Sequence, residues 1–398
     1  MIAGRGERKK KAARAALAVL AVVPCVLLAS PSTARAQTPY TAVGIGYPIR
    51  SLDARAMTLG GVTNGLLGGT FSLGNPADLT LHASAAVAAA IAGEDITIKA
   101  AGGDQSTGRS WFPVIGAVVP IGDWAFRVGF GGLLDQDLAI ILTDTLSTSI
   151  GRYEFEELRT RDGGVSQIDV SAARKLGPVS VGIGIQRLTG SLQQRLRRRF
   201  TEDIDSTGVL PAGVLERAET DYGGWSVKAG ANAQFKGRFV VSGTFFFATN
   251  LKAKQLGTFI ERTLRLPNGF EGGLSALITP RLLLAAGGGW SGWSQSEPST
   301  ETFTAADVSW LGGGLEYTVV FGSVPTAFRV GGRTRKLPFV LPDSEQSKEN
   351  AITAGFGARI GGRVRVDVGF EFGNRGDLEA AGTEESFTSL NLTVGIIQ

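Results

Sequence analysis

The chain predicts an all-β fold: a transmembrane antiparallel β-barrel of about 14 strands, preceded by a plug segment in its lumen. Three observations carry this. Apolar and polar residues alternate with period two over most of the length. Very short and long polar connections alternate between the strands. The first 36 residues read as an export signal.

The alternation is clearest from Arg363 to Gly373. Val364, Val366, Val368, Phe370 and Phe372 share one face, and Arg363, Arg365, Asp367, Gly369 and Glu371 the other. A strand sends successive side chains to opposite faces, so one face is apolar and the other charged or small. Leu390, Leu392, Val394 and Ile396 repeat the pattern, as do Val179, Val181, Ile183 and Ile185. A soluble sandwich would solvate its polar face with Lys, Glu and Thr. Here that face is rich in glycine, as a crowded lumen requires. Trp111, Phe112, Trp124, Trp225, Trp290, Trp293, Trp310, Tyr317 and Phe321 lie near strand ends, where membrane girdles sit.

Short turns fall at Gly122-Asp123, Gly177-Pro178, Lys236-Gly237-Arg238, Thr279-Pro280, Gly322-Ser323 and Gly361-Gly362. Long connections are expected at about 94–110, 133–165, 197–221, 252–262, 295–304, 335–350 and 374–385. Six short and seven long connections give 14 strands, with both chain ends of the sheet on the short-turn side. Tight periplasmic turns and long external loops are the layout of an outer-membrane barrel.

Arg5, Arg8, Lys9, Lys10, Lys11 and Arg14 form a positive region ahead of an apolar run from Ala15 to Ala29. Ala34-Arg35-Ala36 is a cleavage site that leaves Gln37 first. The lone cysteine, Cys25, falls inside the signal, so the mature chain has no thiol chemistry. Seven of 40 basic and one of 36 acidic residues leave with it, and the remaining 33 against 35 imply no nucleic-acid partner. After Ala36 no apolar run is long enough for a membrane helix. The expected division is signal 1–36, plug 37–82 and barrel 83–398. The plug, lying before the first strand, is expected to begin on the periplasmic side.

No catalytic residue, metal site or cofactor is expected. The one histidine, His82, suits a strand cap or a headgroup contact better than a triad. The runs Gly287–Gly289 and Gly312–Gly314 lie inside strands, without the helix that a phosphate loop needs. If the apolar face meets lipid, then Glu316, Arg329, Arg333, Arg359, Arg363, Arg365, Asp367 and Glu371 face the lumen. A charge on the lipid face near the midplane costs about 2–4 kcal/mol. This set is expected to be a salt-bridged network against the plug, or a polar lining for a ligand headgroup. Gly129, Gly131 and Gly132 mark a possible kink and lateral opening in the third strand, or room for the plug. Arg195-Leu196-Arg197-Arg198-Arg199 opens an external loop that suits lipopolysaccharide phosphates or a solvated loop base.

Three short motifs then carry a resemblance. They are Asp53-Ala54-Arg55-Ala56-Met57 … Gly60-Gly61 … Asn75-Pro76-Ala77; Leu266-Pro267-Asn268 with Gly272-Gly273 and Trp293; and Arg333–Phe339 with Glu371-Phe372-Gly373 and Arg375-Gly376-Asp377. In these the chain resembles the FadL-type outer-membrane transporters of long-chain fatty acids and other hydrophobic compounds. It departs from them in ending at Gln398, where such barrels carry an aromatic, and in a short fourth external loop. The resemblance implies an outer-membrane location after Sec export, a plug entry at Asn75, Pro76 and Ala77, and passive, plug-gated uptake of a hydrophobic small molecule. Outer-membrane lipid, lipopolysaccharide and the barrel-assembly machinery are the other expected partners. The alternative is a non-transporting structural or secretion-associated barrel whose external loops bind a partner.

Overall fold

The alternating segments become fourteen antiparallel strands in the computed structural model. The structure describes residues 39–398 except 43, 101–103, 150, 206–207, 209, 296–303, 341–343 and 379–382. The export signal and Cys25 lie outside the described residues. The wall strands are β1 (Ala86–Ala100), β2 (Gln105–Trp111 continuing as Val114–Ile121), β3 (Trp124–Asp135), β4 (Arg152–Leu176), β5 (Val179–Asp203), β6 (Val214–Phe235) and β7 (Phe239–Ala248). They continue as β8 (Gly269–Thr279), β9 (Leu282–Ser291), β10 (Val308–Phe321), β11 (Val324–Lys336), β12 (Lys348–Ile360), β13 (Val364–Asp377) and β14 (Thr383–Ile397). Pairing of β1 with β14, from Ala86↔Ile397 to Ala100↔Thr383, closes the barrel. Closure satisfies the backbone without water, which hydrocarbon demands.

The two faces of each strand divide as alternation requires. On β13, Val364, Phe370 and Phe372 are exposed outward, while Asp367, Glu371 and Arg375 are buried inward. At the short-turn end Trp124, Phe126, Phe235, Phe239 and Phe321 are exposed; at the other end Trp225, Phe247, Phe270 and Trp290 are. Phe245, Phe270 and Trp290 stack on one another across β7, β8 and β9. Three tryptophans expected in the girdle are not there: Trp111 shares the inward face of β2 with Arg109. Trp293 and Trp310 are 5% and 9% exposed and point into the lumen.

Several expected external loops are largely strand. β1 and β2 run through most of 94–110. β4, β5 and β6 extend 22 to 25 residues, far past the girdle. A hairpin of 251–255 and 261–264 extends the sheet beside β6. Polar composition marked where the chain leaves hydrocarbon. It did not mark where pairing ends, because neighbouring strands stay in register beyond the membrane.

The plug threads the lumen from the long-connection end to the short-turn end. Its described start lies at the end opposite to the expected one: the Tyr40 hydroxyl donates to Ser347 Oγ at 3.1 Å, just ahead of β12. Tyr47–Pro48 then pairs with Leu134 and Asp135 of β3. A short helix, Ala54–Thr58, begins at Asp53, whose carboxylate accepts from Ala56 N. A 3-10 turn, Pro76–Leu81, leads into β1. The helix and its Gly60-Gly61 turn press on the glycine face of β10 and β11. Gly60 has φ +69°, and a Cβ there would fall within 2.3–2.7 Å of the Gly332 and Gly313 backbones. The glycine runs therefore make room for the plug.

Candidate lumenal site

Three anchors hold the plug. The first is the Asn75-Pro76-Ala77 turn. Asn75 Oδ1 caps Ala77 N at 2.8 Å, and its Nδ2 donates to Ser242 Oγ at 2.7 Å and Gly243 O at 2.8 Å. Gly230 leaves the space, since a Cβ there would lie 1.8 Å from Asn75 Oδ1. Next to it the buried Asp78 accepts from Gly65 N at 2.6 Å and from Ser242 Oγ at 2.9 Å. Burial pushes its carboxyl up to about 6. The second anchor is Arg55, which meets Glu316 at 2.8 Å; Arg329 bridges Glu316 at 2.6 Å to Asp367 at 2.7 Å, and Arg365 reaches Asp367 at 2.5 Å. The third is Tyr47, whose hydroxyl donates to Glu349. That fully buried carboxylate also takes Arg333 at 2.9 Å, Arg335 at 3.0 Å and Arg375 at 2.7 Å.

Of the eight charges expected in the lumen, six belong to these clusters: Glu316, Arg329, Arg333, Arg365, Asp367 and Glu371, the last bound to Arg333 at 2.5 Å. The other two stand apart. Arg363 lies in the exposed turn ahead of β13, which starts one residue later than the alternation suggested. Arg359 has inward parity on β12 but is exposed near the short-turn mouth. Alternation on β13 identified the inward face. It could not identify Arg55, Glu349, Arg375, Glu94 or the Arg127–Asp169 pair at 2.8 Å, which sit in segments that read as plug, loop or isolated charge. His82 packs on Phe71 and faces Thr70 O at 3.2 Å, within the plug.

Gly129, Gly131 and Gly132 of β3 all face the plug. A Cβ on them would collide with Leu73, Ser51 and Ile49 respectively. The same place interrupts the wall. Pairing of β2 with β3 ends at Val114↔Gly131, and β3 shifts register against β4 between Gly132 and Leu134. Beyond it, Gln105–Trp111 of β2 pairs only with β1 among the described residues, while Asp135 pairs with Tyr47 of the plug. Pro113, which has no N–H to offer, sits at the break. The gap is bridged by side chains: Arg109 ion-pairs with Asp135 across it and with Glu94 at 2.5 Å.

Beside the Glu349 cluster, whose Arg335 borders it, lies a cavity of about 220 Å³. Leu73, Leu134, Leu188, Phe246, Trp293 and Trp310 are among the apolar residues of its wall. Arg50, Lys228 and Glu271 also border it. Lys228 Nζ donates to Leu73 O at 2.7 Å. Arg50 lies over the Trp310 ring at 3.9 Å, with Glu271 no nearer than 3.7 Å, and both its terminal nitrogens are buried without a hydrogen-bond acceptor among the described residues. Burial pushes this guanidinium down to about 10, so it stays cationic at neutral pH. Pro48, Ile49, Arg50 and Leu52 form the partition between this cavity and a smaller one of about 70 Å³, lined by Arg109, Trp111 and Pro113 at the wall gap.

These features define a class: a plugged, 14-stranded antiparallel barrel of the outer-membrane type. A family model described as BamG matches residues 14–266, more than half of the chain, and the chain belongs to that family. No curated protein matches it in sequence. Among solved structures it is similar to a Pseudomonas aeruginosa FadL homologue, with 14% identity over 88% of this chain and 99% of that one and a TM-score of 0.58. It is also similar to the Pseudomonas putida toluene transporter TodX, with 14% identity over 89% and 99% and a TM-score of 0.56. The Ralstonia pickettii toluene transporter TbuX matches with 15% identity over 89% and 98% and a TM-score of 0.54. These likenesses show a FadL-type barrel fold.

Proposed function

We propose that the protein is an outer-membrane channel for hydrophobic small molecules, and that its substrates carry an acid group, as long-chain fatty acids do. One observation carries the reading: an apolar lumenal cavity holds a guanidinium whose two terminal nitrogens are buried with no hydrogen-bond acceptor among the described residues, Glu271 being no nearer than 3.7 Å. A buried polar group left unpaired costs about 1–3 kcal/mol, more if charged. A carboxylate over Arg50 would relieve that cost, and the leucines and aromatics would take the chain. The neighbours named as toluene transporters support the apolar half of the reading.

The route is lateral and plug-gated. The Tyr47–Arg50 segment is the partition between the cavity and the break in the wall beside Gly131. Displacing it joins the two, and a hydrophobic molecule can leave sideways into the membrane. No reaction and no energy source are required. The test is uptake of labelled long-chain fatty acid by cells with and without the protein, and with Ala248→Trp, which fills the cavity. The reading expects uptake to fall in both altered strains. Undiminished uptake in the deletion, with a partner protein recovered on the barrel, would favour the non-transporting alternative.

A further inference from the structure

The outward face of β5 can be followed without a break from the membrane to the tip of the external sheet. Val179, Val181, Ile183 and Ile185 are exposed and face acyl chains. Pairing of β5 with β6 is continuous from Val179↔Ala233 to Arg198↔Val214, so odd-numbered residues keep that face throughout. Arg187 comes next, stacked 5.0 Å from the Trp225 ring at the girdle. Arg195, Arg197 and Arg199 follow, all exposed, and these residues are strand rather than loop. At about 3.3 Å per residue, Arg195 stands roughly 26 Å along the strand from Arg187. That is above the phosphates of a lipid headgroup and within a sugar layer.

Lower on this face Lys252 pairs with Glu261 at 3.3 Å, but the charge arrangement around Arg195 and Arg217 is unfavourable unless an anion is present. Arg195 lies directly opposite Arg217 of β6, with Arg197 two residues along. Like charges directly opposite across a sheet destabilise it. Arg197, Arg199 and Arg217 make no ion pair among the described residues. The nearest acidic groups on the face are Glu156, opposite Arg199, and Asp162 and Glu219, which flank Gln193 two residues from Arg195. None of them separates Arg195 from Arg217. Lower down, Lys252 and Lys254 of the added hairpin are exposed on the same face, opposite Gly223 and Asp221.

We propose that this face binds an anionic glycolipid of the outer leaflet. Its acyl chains lie on Ile183 and Ile185, its lower phosphates near Arg187 and Lys252, and its phosphorylated core sugars against Arg195, Arg197 and Arg217. Continuity with the acyl-facing wall selects the occupant. A ligand spanning both parts is lipid at one end and a charged saccharide at the other, which an acidic protein is not. Guanidinium groups suit it because they give phosphate paired, charge-assisted hydrogen bonds.

The probe is fluorescent rough-type lipopolysaccharide that keeps its phosphorylated core sugars, titrated against the mature barrel in detergent micelles. The wild type should bind saturably. Arg195→Gln/Arg197→Gln/Arg217→Gln should bind about tenfold more weakly, three exposed charge contacts being lost. Lys236→Gln/Arg238→Gln, at a short turn on the opposite end, should bind as wild type does. Phosphatase treatment of the probe should erase the difference between wild type and the triple variant. Equal affinity of the triple variant and the wild type for the phosphorylated probe overturns the proposal. So does a cross-linker placed at residue 197 in cells that captures an acidic protein and no glycolipid.

Discussion

The two sides of the lumen are built differently. On the side of β10 to β14 and β1, buried arginines and carboxylates pack against the plug in nearly complete ion pairing, from Arg55–Glu316 to Arg375–Glu349. On the side of β3 and β5 to β10 the plug faces leucines and tryptophans across a void, and Arg50 is left without an acceptor. A half-satisfied buried network costs more than an apolar one, so the first side holds the plug in a single position. The second is where a ligand adds what is missing. Ion-paired holding and ligand binding are thus placed on different sides, while the Asn75 and Asp78 anchor on Ser242 and the Arg127 bond to Ser72 O also tie the plug to the second side.

The largest effect should come from removing the plug altogether. Deletion of Gln37 to Leu79 should leave a barrel that assembles, since the strands satisfy their backbone on each other, and should raise single-channel conductance severalfold in planar bilayers. Conductance unchanged from the intact protein would mean that something else blocks the lumen.

Next comes the charged side alone. Arg375→Ala leaves Glu94, Glu349 and Glu385 short of a partner, and breaking a buried pair costs about 3–5 kcal/mol. The temperature at which the folded band disappears on gels should drop clearly. Arg50→Met, on the other side, should leave that temperature unchanged or raise it. Equal losses from the two substitutions would break the contrast between the sides.

Val368→Arg probes the wall rather than the plug. It puts a charge on the lipid face, at about 2–4 kcal/mol near the midplane, and should reduce assembly in vesicles, whereas Val368→Ile should not. Single cysteines sharpen the register: at 366 and 368 they should react with lipid-soluble reagents, and at 365 and 367 with water-soluble ones only once the plug is deleted.

The smallest effect concerns pH. Burial pushes the His82 imidazole down to about 4, with Arg365 and Arg127 adding to the shift and Asp53 opposing it. The folded state keeps the ring neutral while the released chain protonates near 6.5. Stability from this group is therefore complete above that pH and falls as pH drops toward 4. Asp78, raised to about 6, acts with the opposite sign, because its burial penalty fades below that pH. The histidine contribution is read as the difference between wild type and His82→Asn, about 2 kcal/mol at pH 5; plug protection from protease at pH 5 and 7.5 measures it.

Much of this barrel is legible in its sequence, because period-two alternation is a property of single strands. The inward face of β13, the six short turns and the glycine runs all follow from local pattern. Two kinds of feature do not. Strand length beyond the membrane depends on a neighbour keeping register, so Arg195–Arg199 read as a loop base although it is strand. Contacts between plug and wall join residues hundreds of positions apart. Tyr47–Glu349 and Arg55–Glu316 leave no periodic trace, and Trp293 and Trp310 have the composition of a girdle while serving the cavity.

The central claim is that the apolar cavity takes an acid-bearing hydrophobic molecule through Arg50. Titration of the purified barrel with a fluorescent long-chain fatty acid and its matched alcohol tests it most directly. The account predicts that the acid binds at least about tenfold more tightly than the alcohol, the worth of one charge-assisted hydrogen bond. That ratio should collapse to near unity in Arg50→Met, and both ligands should be lost in Ala248→Trp. Acid binding that is unchanged in both variants would contradict it.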